Sequence, residues 1–269
     1  FTAASLFILS PWSIIHFSNI LTPPNGLPII TTGLLYAMLK ATIKKEEKYL
    51  ILAGTLLALA TQFHLVAIML TASVFVTLAC FGREINKKYI ITAIIAGLII
   101  LSPFLIYTAK TNKFGELINY AIQRDESSRL HAITESFGLP LVIMTPFVGT
   151  YMTGEGVSLF KHRGTGLFIL AITIIICLFF LYGLFISFSR YLRLKEKKYL
   201  ALLLWLFTPI ILLAIPGKNL SPHYIAMLIP AQFLITAVGM DNLFNKKKIL
   251  AASLLFIILL TSTLFTVNF

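Results

Sequence analysis

The chain has 269 residues, 58% hydrophobic and only 12% charged, with a mean hydropathy of +0.91 and a formal charge of +12. That balance excludes an ordinary soluble domain and describes a polytopic membrane protein. The basic excess does not call for nucleic acid, because most Lys and Arg fall in short loops between apolar segments.

The first residue is Phe1, inside an apolar run with no basic n-region, so the opening is not a signal peptide. It reads as a segment that begins mid-helix, with part of the protein upstream. Apolar runs then predict spans at 1–17 (partial), 27–43, 49–61, 65–81, 89–108, 166–188, 199–215, 224–240 and 249–267. No internal repeat stands out. The expected fold is an all-α polytopic membrane protein of about nine transmembrane helices, one domain over 1–269. Its one long loop, at 109–165, is extracytoplasmic.

The run from 49 to 81 holds a polar notch, LATQFHL, at 59–65. It is too long for one span of ~20 residues and short for two. A helical hairpin solves this, with Gln62 and His64 at the turn and both feet on the basic side. Arms of roughly 16–17 residues reach only about 25 Å, so the turn stops below the far surface. A histidine there must face protein or a water-filled cavity.

Counting Lys and Arg tests the topology. Loops 40–48, 83–88, 190–198 and 246–248 share one side and hold 15 of the 22. The other side holds six in 110–165 and Lys218. Short loops weigh most, so the basic side is cytoplasmic in a multi-pass plasma (inner) membrane. The segment 137–152, FGLPLVIMTPFVGTYM, is apolar enough to suggest a further span. Crossing there would move two basic loops outside, and Pro140, Pro146 and Gly149 break a helix. It reads as re-entrant or interfacial. His16, His64, His131, His162 and His223 all then fall at or beyond outer span ends. Function is expected on the outer face, in loops held by a rigid scaffold.

Each polar feature there has a plain and a functional reading. The turn HFSNILTPPNGLP at 16–28 is a rigid re-entry, or it places Asn19 and Asn25 at a cavity rim. Gln62 and His64 are satisfied by a neighbouring helix, or they line that cavity. In IPGKNLSPHY at 215–224, Lys218 snorkels to headgroups, or Lys218, His223 and Tyr224 cradle a phosphate at a helix N-terminus. QRDESSRLH at 123–131 is a solvated charged face, or Arg124 and Arg129 bind phosphate while Asp125, Glu126 or Glu135 meets a metal or sugar hydroxyl. The carboxylate spacing specifies no metal site, so no cofactor is assigned; a divalent metal is the only one considered. Cys80 and Cys177 lie in apolar segments and read as small buried hydrophobes.

Three stretches carry a family resemblance: SPWSIIHFSNILTPPNGLPIITTGLLYAMLKA at 10–41, LILAGTLLALATQFHLVAIML at 50–70, and SPHYIAMLIPAQFLITAVGMDNL at 221–243. In order, spacing and sidedness the chain resembles the bacterial PMT/ArnT-like membrane glycosyltransferases of the GT-C superfamily. The resemblance implies an enzyme that takes a sugar from a polyprenyl-phosphate carrier. It would pass the sugar to a lipid, glycan or protein acceptor on the extracytoplasmic side. It also implies a catalytic aspartate in a first outer loop, which would lie upstream of Phe1, so this segment alone is expected to be inactive. Near Asn25 the family's acidic or Arg/Trp pattern is replaced by Ser18-Asn19 and Thr22-Pro23-Pro24-Asn25. The residues expected to bind substrate or lipid phosphate are Asn25, Gln62, His64, Arg124, Lys218, His223 and Tyr224. Two rivals stand beside this reading. A transporter or flippase predicts inverted repeats and helices broken at the midplane. An O-antigen polymerase or ligase would rest on Arg and His in the long loop.

Overall fold

The computed structural model describes residues 26–82, 84–111, 113, 115, 163–215, 226–249, 252–254 and 256–257. The described residues form helices and no strands. Lipid cannot satisfy a backbone amide or carbonyl, and a helix closes its own hydrogen bonds. In chain order the elements are α1 (Leu27–Thr42), α2 (Tyr49–Phe63), a 3-10 helix (Leu65–Met69), α3 (Leu70–Phe81), α4 (Lys87–Lys110), α5 (Arg163–Leu194), α6 (Lys197–Ala214), a second 3-10 helix (Ala226–Leu228) and α7 (Ile229–Lys246).

Expected spans two to eight each meet a helix with edges shifted by a few residues. Among the described residues, four segments are long and apolar enough to cross a membrane: Lys87–Lys110, Thr173–Leu194, Lys197–Ala214 and Ala226–Lys246. Leu27–Thr42, Tyr49–Phe63 and Leu65–Phe81 are apolar but shorter. The first span, most of the long loop and most of the ninth span lie outside the described residues.

Local chemistry explains why hydroxyl-bearing sequences remain helical here. Thr42 donates to the Met38 carbonyl at 2.6 Å, Thr61 to Leu57 at 2.9 Å, Thr77 to Ser73 at 2.7 Å and Thr236 to Gln232 at 2.9 Å. Each hydroxyl is thus satisfied by its own helix, one turn back. Pro28 sits in the first turn of α1, where its missing N–H is harmless. Asn86 caps α4 by accepting from the Lys88 N–H at 2.9 Å.

The chain groups into two compact units. One comprises Gly26–Phe137 and Leu204–Leu228. Within it α1 and α2 run antiparallel, since Gly26 lies against Phe63 and Gly33 against Leu56, while the Tyr36 and Tyr49 rings meet edge-on at 5.9 Å. α4 runs beside α2 in the same direction. Gly54 touches the Ala93 backbone, and Gln62, two turns on, reaches Ile100. The small residues Gly54-x-x-x-Ala58 and Ala93-x-x-x-Gly97 permit this approach. The expected hairpin is present, and its feet do meet. Lys45 pairs with Glu84 at 2.8 Å, and Glu47 accepts from the Asn86 N–H at 3.3 Å.

The other unit comprises Phe1–Asn25, Gly138–Leu203 and Ile229–Phe269. Its described core is the crossing of α5 and α7. A Cβ on Gly183 would stand 1.9 Å from the Ile235 carbonyl oxygen, and one on Gly239 would stand 2.6 Å from that of Phe179. Asn242 donates to the Tyr182 hydroxyl at 2.6 Å across the same pair of helices. The cysteines differ from expectation. Cys80 is exposed on α3 and Cys177 is half-buried on α5, so neither is a fully buried hydrophobe. On helices facing lipid, an exposed thiol costs little.

Candidate functional site at the His64 break

Of the residues expected to bind substrate, Gln62 and His64 are described. Asn25, Arg124, Lys218, His223 and Tyr224 lie outside the described residues, as do Asn19, Arg129, Asp125, Glu126 and Glu135. The turn is narrower than the sequence suggests. Gln62 is helical, Phe63 ends α2, and the break is the single residue His64.

His64 is extended, at φ −155° and ψ 120°. Its N–H still reaches the Ala60 carbonyl at 2.9 Å, and its own carbonyl accepts from Ala67 at 2.8 Å. Its Nδ1 accepts from the Val66 N–H at 3.4 Å and so caps the following 3-10 helix. A ring that accepts at Nδ1 carries its proton, when neutral, on Nε2. The imidazole therefore supplies an acceptor for one amide, that of Val66, which the break would otherwise leave open in an apolar layer.

Gln62 supports α4. Its Nε2 donates to the Ile100 carbonyl. A proline lies three residues on. Pro103 has no N–H, which removes the helical partner of the Ile99 carbonyl. Ser102 Oγ supplies one instead, donating to Ile99 O at 2.7 Å. Gln62 and Ser102 together satisfy adjacent carbonyls beside the proline. The sequence reading missed Ser102 and Pro103, although a Ser-Pro pair inside an apolar span is a visible sign of such a repair.

An apolar cleft of about 340 Å³ opens between α2, α3 and α4. It runs from Leu50 near the basic end to Thr61 and Ile68, which flank the break. Leu57, Val74 and Leu98 line its middle, and Gly54 and Gly97 form part of one wall. Among the described residues Thr61 and Thr71 are its only polar liners, and the Thr61 hydroxyl is bonded within its own helix. A cleft of this composition suits a hydrocarbon chain and offers nothing to a sugar or phosphate. Among the described residues no three His, Cys, Asp or Glu converge as metal ligands.

No curated protein and no solved structure matches the chain. One family does. Its match begins ahead of α1, continues through most of α4, covers less than half of the chain and leaves α5 to α7 outside. Residues 2–107 match the family model of the dolichyl-phosphate-mannose-protein mannosyltransferases, which supports a PMT/ArnT-like glycosyltransferase of the GT-C type.

Proposed function

We propose that the protein transfers a sugar from a polyprenyl-phosphate donor to a lipid, glycan or protein acceptor on the extracytoplasmic side of a plasma membrane. The family match supports membrane glycosyltransferase chemistry, and the apolar cleft supports an isoprenoid-linked donor. The cleft is the observation that carries the donor class. An isoprenyl chain needs a groove free of unsatisfied polar groups, continuous with a polar rim where the phosphate and sugar sit. The cleft ends at Thr61 and Ile68, on either side of His64.

In this reading His64 lines the rim and Gln62 holds its wall. Asn25, Arg124, Lys218, His223 and Tyr224 supply the remaining polar and cationic groups, with the lipid phosphate on Lys218, His223 or Arg124. The basic loops face the cytoplasm by the charge bias of short loops.

The test uses the full protein in proteoliposomes, with a radiolabelled polyprenyl-phosphate sugar. Val74→Trp fills the cleft and is expected to cut kcat/KM for the donor about tenfold or more. His64→Ala and Lys218→Ala are each expected to lower transfer without lowering expression. Unchanged transfer in all three variants rejects the site. A flippase would move the carrier across the bilayer without label reaching any acceptor, and that result rejects the activity itself.

A further inference from the structure

The two basic turns that follow α1 and α5 share one six-residue motif. Lys-Glu-x-Lys-Tyr-Leu occurs at 45–50 and again at 195–200. Six residues are too few to stand out as a repeat above an apolar background. The backbones agree. Lys45 and Lys195 are the two non-glycine residues with positive φ among those described, at 60° and 53°. Such a conformation is disfavoured for a side chain with a Cβ, and here it recurs at the same residue of the same motif. Tyr49 N–H reaches the Glu46 carbonyl at 3.0 Å and Tyr199 N–H reaches that of Glu196 at 3.1 Å.

The side chains repeat as well. Each tyrosine ring carries the lysine just before it, Lys48 at 5.9 Å and Lys198 at 5.0 Å. Each also carries a cation from nine residues upstream, on the preceding helix: Lys40 at 5.7 Å from the Tyr49 ring, and the Arg190 guanidinium at 5.5 Å from that of Tyr199. A chain reversal does not require two cations on one ring. They repel, and a tyrosine face offsets only part of that. One cation of each pair is neutralised locally, Lys40 by Glu46 at 2.7 Å and Lys198 by Glu196 at 2.8 Å. The other is not. Among the described residues no carboxylate pairs with Lys48 or Arg190. Arg190 donates one N–H to the Tyr199 hydroxyl, which orients the guanidinium and leaves other donors of the fork open.

We propose that each turn is a binding site for the phosphate of an anionic phospholipid headgroup, with Lys48 and Arg190 as the anchoring cations. Charge complementarity selects this occupant. Both turns open apolar helices, so their tyrosines sit where headgroups lie, and a basic cluster at that level attracts anionic lipid. The proposal rests on the chain lying in a bilayer and not on sugar transfer.

The experiment is native mass spectrometry of the full protein released from mixed phosphatidylglycerol and phosphatidylcholine nanodiscs. The expected result is two phosphatidylglycerol molecules retained in preference to phosphatidylcholine, one in Lys48→Gln, one in Arg190→Gln and none in the double variant. Lys197→Gln, in the same turn but outside the cradle, is expected to retain both. Each variant leaves several basic residues in its loop, so orientation is kept. If Arg190→Gln does not fold, Arg190→Lys is expected to retain its lipid with a faster loss on collisional activation. Equal retention of the two lipids, or an unchanged count in the double variant, overturns the proposal. So does the same loss in Lys197→Gln, or equal thermal stabilisation by inorganic phosphate alone.

Discussion

The α5–α7 and α2–α4 crossings both bring glycine against a neighbouring backbone, yet they serve different ends. At α5–α7, Gly183 and Gly239 face each other, the contact is tied by Asn242 and Tyr182, and α7 is buried along most of its length. At α2–α4, Gly54 meets Ala93 and Gly97, but little of α4 is fully buried, with Ile91, Ile95 and Ile99 outward. The first crossing is a core. The second is an edge contact along which a less buried helix borders a cleft. Small residues permit close approach in both, and what lies on the far side of the helix decides whether the contact is rigid.

Bulk at each crossing is the strongest way to break that distinction. Gly183→Leu puts a Cβ 1.9 Å from a backbone oxygen with no room to retreat. It is expected to destabilise by about 3 kcal/mol or more, read from thermal unfolding in detergent. Gly54→Leu meets Ala93 O at 2.3 Å, but α4 can move outward into lipid. A cost of roughly 1–2 kcal/mol is expected, with a widened cleft. Equal costs at the two glycines would erase the difference between core and edge contact.

Smaller changes sharpen it. Gln62→Ala removes the amide on Ile100 O, and about 1 kcal/mol is expected to be lost. The loss should appear locally, as faster hydrogen exchange at 104–110 with the α5–α7 amides unaffected. Asn242→Ala is the matching change in the core; about 1 kcal/mol there should lower the global unfolding temperature instead. The smallest effect is expected for Lys45→Ala or Glu84→Ala, within about 0.5 kcal/mol, because that pair is solvent-exposed.

Much of the hairpin was legible in advance. The run from 49 to 81 was too long for one span, and Gln62 and His64 marked its interruption; the structure returns both feet to one end through Lys45 and Glu84. The role of Gln62 was not legible. Nothing near position 62 reveals that Pro103, far along the chain, leaves a carbonyl without its helical donor beside the one that Gln62 reaches. The paired cations over Tyr49 and Tyr199 were hidden for a related reason. Charge counting sees net charge per loop, whereas the cradle depends on a cation nine residues away folding back onto the ring.

The sequence by itself determined the solvent, the helical class, the position of most spans and the clustering of basic charge in short loops. These follow from hydropathy and charge, which act residue by residue. Only the tertiary structure decided which helices touch, where α3 stands away from α2 to open an apolar cleft, and which polar groups answer one another across helices. Those outcomes depend on backbone approach within an ångström at Gly54, Gly97, Gly183 and Gly239, and single-residue hydropathy carries no record of such distances.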